Sequence, residues 1–203
     1  MSSSFERKIG EIGEWLGTGS LNFFGRQFAG KDIQAARLGS HFQAPVIGGG
    51  DILRNSNIDL EVQQQIDKGG LSPTEQYRKI VLPYLSDPSL ANVPLMLSAV
   101  GRMSGEEQDV IDVTNSAGHP IMAVPYLQIT EAESFIRMAN SPSRGRVDDT
   151  PQGLRKRLDQ FNEFTAPVLK AYEDMDLLVS VDAMPEEDIV FNSLVNMLHE
   201  RIR

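Results

Sequence analysis

The chain has 203 residues, of which 40% are hydrophobic and 23% charged, a composition typical of a globular domain with a buried core. Its net charge of −9 argues against a surface for nucleic acid or anionic membranes, although a few convergent cations can still bind a small anion locally. The absence of cysteine excludes disulfides and thiolate metal sites, and three scattered histidines give no support for a histidine metal site.

The first 20 residues have the pattern of a helical extension. Ser3 and Glu6 are spaced as a capping box, and Gly17 can end a helix. Between them, apolar residues recur at helical spacing: Phe5, Ile9, Ile12 and Leu16. The stripe favours a helix that packs on its own domain; the alternative is a docking helix for a protein partner.

From residue 21 onward, short apolar segments alternate with helical patterns. Strands are predicted over residues 21–25, 45–47, 95–100, 121–129 and 177–181. Helices are predicted over 33–42, 60–68, 105–114 and 130–137, with further helices starting at 72, at 148 or 149, and at 185. This alternation predicts an α/β fold, with a parallel sheet and helices on both faces.

A glycine-rich segment joins the first strand to the next helix. Residues 25–32 read Gly-Arg-Gln-Phe-Ala-Gly-Lys-Asp, which contains the first seven positions of the P-loop pattern. Such a loop turns successive N–H groups toward phosphate oxygens, and Lys31 adds a charge for the outer phosphates. Asp32 replaces the usual Ser or Thr, and a carboxylate there repels phosphate unless a cation lies between them. The pattern predicts a nucleotide phosphate site, with an ordinary glycine turn as the alternative.

Beyond the loop, residues 21–203 resemble adenylate kinases at several separate positions. Residues 30–35 read Gly-Lys-Asp-Ile-Gln-Ala where the family has Gly-Lys-Gly-Thr-Gln-Ala, and residues 48–54 fit the end of the family's second strand. Arg102 is the one residue kept from an Asp-Gly-Phe-Pro-Arg signature. The strongest match, over 145–158, is similar to the end of the family's lid and its next helix.

The resemblance implies a P-loop nucleoside triphosphate hydrolase-like fold with a five-stranded parallel sheet of order 2-3-1-4-5. It implies a monophosphate-binding segment over 48–80 and a short lid over 138–148, both within a domain spanning 21–203. The implied activity is that of a nucleoside monophosphate kinase, which transfers the terminal phosphoryl group of ATP to AMP or a related monophosphate. Since the chain has no membrane-spanning run and no signal peptide pattern, we expect it in the cytoplasm.

Carried over residue by residue, the resemblance implies cations that neutralise the migrating phosphoryl group from several sides. The implied catalytic set is Lys31, Arg102, Arg146 and Arg157. The implied ATP-binding set is Gly25, Gly30, Lys31, Asp32, Ile33, Gln34 and Arg137. The implied monophosphate-binding set is Gly49, Asp51, Arg54, Arg102 and Glu106. Mg²⁺ is the implied cofactor, held through water by Asp32 and Asp51.

Departures from the family leave a second function open. Ser98 replaces a carboxylate that orders magnesium water, Ile33 replaces a hydroxyl, and Phe28 stands in place of a glycine. Because a weaker hold on magnesium slows transfer, the alternative is a catalytically impaired nucleotide-binding pseudokinase with a regulatory or assembly role. Glu106 stands where the family reads the acceptor base with glutamine. A carboxylate can accept hydrogen bonds from the N6 amino group of adenine or from N1 and N2 of guanine. AMP is therefore the expected acceptor, and GMP remains open.

Overall fold

A five-stranded parallel sheet organises the computed structural model, which describes residues 3–56, 59, 60, 62, 64, 70–141 and 149–203. The strands are β1 (Ser20–Gly25), β2 (Val46–Gly48), β3 (Leu95–Ser98), β4 (Ile121–Gln128) and β5 (Leu178–Asp182). Their order is β2-β3-β1-β4-β5, and every neighbouring pair is parallel. The predicted fold class and strand order are confirmed.

Helices connect the strands. They are α1 (Ser3–Leu16), α2 (Lys31–Phe42), α3 (Gly49–Arg54), α4 (Thr74–Tyr84), α5 (Glu106–Ser116), α6 (Glu131–Asn140), α7 (Pro151–Gln160), α8 (Ala166–Asp174) and α9 (Glu187–Arg201). A π-helical turn over Phe161–Thr165 joins α7 to α8. Within the described ranges, no helix has the length and apolar character needed to cross a bilayer.

The sheet divides the core into two layers. Consecutive strand residues face opposite sides, so Phe23 belongs to the layer that contains Ile12 and Leu194. Phe24, the next residue, belongs to the opposite layer with Tyr172. Both faces of the sheet are therefore covered, as a parallel sheet requires.

Helix α1 packs on its own domain, as its stripe predicts. Ile12 and Leu16 are buried in the same layer as the apolar residues of α9. Glu11 on α1 forms a hydrogen bond with His199 on α9. Gly17 follows with φ of 54°, a left-handed conformation that ends the helix. Because the apolar face is used within the chain, a protein partner of α1 would contact its polar face, and that partner stays a prediction.

Four helix starts differ by about two residues from the prediction: the helices expected from 33 and 72 start at Lys31 and Thr74, and the other two starts come late. The helix expected from residue 148 or 149 starts at Pro151, because the Thr150 hydroxyl accepts a 3.0 Å hydrogen bond from the Gly153 N–H. The last helix was expected from Pro185 and starts at Glu187, after a residue in an extended conformation. In both places the residue before the helix, Thr150 or Glu186, has a non-helical conformation.

Candidate nucleotide-binding site

A cleft of about 990 Å³ opens where β1, β2 and β3 end. Open parallel sheets bind their ligands at this carboxyl edge. The cleft is lined by these residues of the predicted sets: Gly25, Gly30, Lys31, Asp32, Ile33, Gln34, Gly49, Asp51, Arg54, Arg102, Glu106, Arg137 and Arg157. Arg146, most of the predicted helix over 60–68 and most of the predicted lid lie outside the described residues.

The loop between β1 and α2 has the tight geometry that a phosphate cradle needs. A side chain at Gly25 would come within 2.9 Å of the Leu127 carbonyl oxygen, so only glycine fits there. Gly30 has φ of 85° and turns the chain directly into α2, which begins at Lys31, two residues earlier than predicted. Phe28 also has positive φ, at 66°, a conformation that favours glycine and suits the family's residue better than phenylalanine.

Asp32 lies between the phosphate loop and the end of β3. Its Oδ2 is 3.2 Å from Lys31 Nζ. Its Oδ1 accepts a short hydrogen bond from the hydroxyl of Ser98, which is the last residue of β3. Ser98, where a family carboxylate is missing, therefore contacts the carboxylate that this chain gains at Asp32.

Most of the cations that line the cleft, among the described residues, form an ion pair with an acidic neighbour. The pairs are Lys31 with Asp32 at 3.2 Å, Arg54 with Asp51, Arg137 with Glu133 at 2.7 Å, and Arg157 with Asp149 at 3.7 Å. Arg157 is 8% exposed, so its guanidinium is held firmly near the cleft wall. Each of these carboxylates orients its cation, and a phosphate can replace the carboxylate as the anionic partner.

Arg102 differs from the other cations of the cleft. Its guanidinium forms no ion pair with any residue that the structure describes. Burial lowers the pKa of Arg102 to about 10, and the charge of nearby Glu106 only partly opposes that effect. The side chain remains charged at neutral pH and has room for an anionic ligand as its partner.

Glu106 is a buried residue at the start of α5 and not a solvated one. It is 2% exposed, and its Oε2 accepts hydrogen bonds from the N–H groups of Arg102 (2.9 Å) and Met103 (3.1 Å). Burial raises the pKa of Glu106, while these two backbone donors act in the opposite direction. The carboxyl group fixes the turn that carries Arg102, with its Oε1 also buried at the cleft.

Arg137 and Gln34 bridge separate elements at the wall of the cleft. The Arg137 guanidinium donates to the carbonyl oxygens of Ala183 (2.7 Å) and Met184 (3.1 Å), which follow β5. Gln34 donates a 3.0 Å hydrogen bond to the Glu187 carbonyl oxygen and thereby ties α2 to α9. Both residues fix the wall of the cleft.

Sequence reasoning missed Tyr77, which lines the cleft, and the contact that Arg26 makes with the cleft residue Phe161. Tyr77 lies on α4, and burial, reinforced by the charge of Glu106, raises the Tyr77 pKa well above its usual range. Arg26 of the loop lies 5.2 Å from the centroid of the Phe161 ring, at the π-helical turn. Both contacts depend on residues far apart in the chain, so no local pattern reveals them.

The donor atoms of the cleft suit a magnesium ion that arrives with phosphates. Among the described residues there is no cluster of three or more His, Cys, Asp or Glu side chains able to hold a metal alone. Asp32 and Asp51 nevertheless present carboxylates to the cleft. Mg²⁺ is commonly held by one or two carboxylates together with substrate phosphates, so these residues fit that mode.

Known proteins provide an independent comparison. The adenylate kinase of Bifidobacterium longum is 31% identical over 184 residues, covering 88% of this chain and 98% of that protein. The adenylate kinase of Xanthomonas campestris pv. campestris is 30% identical over 180 residues, covering 86% and 96%. The adenylate kinase of Mycolicibacterium paratuberculosis is 32% identical over 169 residues, covering 80% and 90%. No family model matches the chain.

The matched regions cover nearly the whole length of these relatives. The sheet order, the glycine loop and the cleft at the strand ends also agree with the resemblance. The chain therefore belongs to the adenylate kinase family and is a phosphotransferase of the nucleoside monophosphate kinase type.

Proposed function

We propose that this chain is an active kinase that transfers the terminal phosphoryl group of ATP to AMP or a related nucleoside monophosphate. One observation carries the proposal: cations from five distant segments line a single cleft at the end of the sheet. Phosphoryl transfer needs alignment and charge neutralisation more than covalent help, and convergent cations supply both.

The proposed reaction assigns a role to each group of cations. Lys31 binds the outer phosphates of ATP, and Arg137 holds the donor side of the cleft. Arg54 and Arg102 bind the acceptor's phosphate, whose oxygen attacks the terminal phosphorus of ATP while the bond to the ADP oxygen breaks.

Arg157 neutralises the charge that develops on the migrating group, and Arg146 is proposed to join it. Bound magnesium would share the charge of the donor phosphates, and Asp32 and Asp51 are the residues that would hold it.

The Arg102 guanidinium, which has no ion-pair partner among the described residues, is the feature that best fits an acceptor site. A half-buried cation without an anion loses part of its hydration, and a phosphate group compensates for that cost on binding. The carboxyl group of Glu106 holds the Arg102 backbone from the far side, so the guanidinium is positioned before the acceptor arrives. We propose AMP as the acceptor, with Glu106 at the base-reading position.

Asp32 favours a second candidate function, a nucleotide-binding pseudokinase with a regulatory or assembly role. A carboxylate inside a phosphate loop opposes phosphate, and Phe28 adds a strained backbone to the same loop. In that case ATP binds and persists without transfer.

Product analysis separates the two functions. The protein is incubated with Mg²⁺, ATP and each of AMP, GMP, CMP and UMP, and nucleoside diphosphates are quantified. The kinase produces ADP from AMP, and Arg102→Ala loses this activity by a factor of about 100 or more. Arg7→Ala is the control, since Arg7 is an exposed arginine on α1 that pairs with Glu11 outside the cleft. Tight ATP binding without diphosphate formation would identify the pseudokinase.

A further inference from the structure

We infer that Asp32 is a direct ligand of the divalent cation that accompanies ATP, so that this chain binds ATP tightly only together with magnesium. The inference rests on the proposed function, because it concerns the same ATP phosphates. It goes beyond the proposed function because the carboxylate of Asp32 contacts the metal directly and not through a water molecule.

Asp32 places a negative charge beside the cation of the phosphate loop. Asp32 Oδ2 lies 3.2 Å from Lys31 Nζ, so the carboxylate partly cancels the cation that should attract phosphate. The Asp32 side chain is 58% exposed and lines the cleft, so entering phosphate oxygens meet a negative group. Like charges a few Å apart repel each other strongly when they are partly shielded from water. A divalent cation placed between them converts the repulsion into two attractions.

Ser98 and Lys31 fix the orientation of the Asp32 carboxylate. Ser98 lies at the buried end of β3, and its hydroxyl donates to Asp32 Oδ1. One oxygen is thus held against the sheet while the other lies beside the loop lysine. A cation bound at Oδ2 would leave Lys31 available to the phosphates. Carboxylate oxygens also suit a small hard cation such as Mg²⁺.

Asp51, the other cleft carboxylate, is oriented toward its own helix and strand. Its Oδ1 pairs with Arg54. Its Oδ2 lies close to Gly48, where an added Cβ would be only 2.5 Å away. We therefore keep Asp51 as a contact through water and assign the direct contact to Asp32, which lies in the phosphate loop beside Lys31.

The test measures ATP binding by calorimetry in excess Mg²⁺ and in EDTA, with no acceptor present. In the unchanged protein we expect ATP to bind at least tenfold more tightly with Mg²⁺, a coupling within the usual range of about 5-fold to 150-fold. In Asp32→Asn this ratio should fall to about threefold or less, mainly because metal-free ATP binds better. Ser98→Ala, which releases the carboxylate, should lower the ratio severalfold.

Asp174→Asn is the matched control. It removes the same charge from the end of α8, outside the cleft, where Asp174 pairs with Lys170. The ratio should not change in this variant. Thermal unfolding of each variant establishes that it is folded, and Ser98→Ala carries the test if Asp32→Asn is not.

The outcomes separate the inference from the proposed function. Equal binding of ATP with and without Mg²⁺ in the unchanged protein would overturn the inference and leave the kinase intact. Tighter binding of Mg²⁺-ATP by Asp32→Asn than by the unchanged protein would also overturn it, since the carboxylate would then be only an obstacle. No ATP binding by either protein under both conditions would instead remove the proposed function.

Discussion

Replacing Arg102 with methionine should remove activity without weakening the fold. Arg102 has no carboxylate partner among the described residues, and burial lowers its pKa to about 10. A guanidinium ordinarily has a pKa above about 12, so the folded chain disfavours this charge by about two powers of ten, or roughly 3 kcal/mol. Since water reaches part of the side chain, we discount this to about 1 kcal/mol.

The sign of the pH dependence follows from the lowered pKa. Below a pH of about 10 the guanidinium is charged in both the folded and the unfolded chain, so the full cost applies. Above that pH the folded chain loses the proton first, and the cost declines. Arg102→Met should therefore raise the free energy of unfolding by about 1 kcal/mol at pH 7, and this gain should shrink above pH 10.

Urea unfolding without ligands and steady-state kinetics with ATP and AMP test this prediction together. We expect kcat/KM to fall at least about 100-fold, as when one charge-stabilising donor is removed from a transition state. Arg7→Met is the control, and it should leave kcat/KM unchanged. A loss of more than 1 kcal/mol of stability in Arg102→Met would refute the reasoning, because Arg102 would then have a structural partner.

Three further changes test other parts of the structure. Ile12→Ala should lower the free energy of unfolding by about 3 kcal/mol in urea and leave the kinetic constants unchanged, because α1 is an integral part of the core. Glu106→Gln should raise kcat/KM for AMP relative to GMP by about tenfold in a coupled assay, since the amide adds a donor for adenine N1; an unchanged ratio would remove Glu106 from base recognition. Glu11→Gln should reduce acid sensitivity: the hydrogen bond to His199 lowers the Glu11 pKa, so its contribution is present above the unfolded pKa and lost as the pH falls through the folded one. Unfolding of both proteins between pH 3 and pH 7 measures that difference, and a constant difference across this range would contradict it.

The periodic parts of the fold were predictable from local sequence. The segments 21–25 and 121–129 became β1 and β4 almost at their predicted limits, because runs of apolar residues between turn residues specify buried strands. The start of α7 was not, since Asp149 and Thr150 are both good caps and only the tertiary structure selects Thr150.

The resemblance indicated which residues line the cleft, but it did not indicate how their side chains contact each other. Resemblance placed Lys31, Arg102 and Arg157 in one cleft, and the structure brings them together. The contact of Asp32 with Ser98 joins residues 66 positions apart, and nothing local to either one indicates it. The burial of Glu106 was equally hidden, since a glutamate at the start of a helix is most often solvated.

The central claim is that separated cations form one cleft that holds donor and acceptor phosphates at the same time. A bisubstrate ligand, in which a continuous chain of five phosphates links two adenosines, tests it most directly by calorimetry with Mg²⁺. We predict one site per chain, competition with both ATP and AMP, and a loss of affinity of at least about tenfold in Arg102→Ala. Two independent sites per chain, or affinity no greater than that of ATP and unaffected by Arg102→Ala, would contradict the claim.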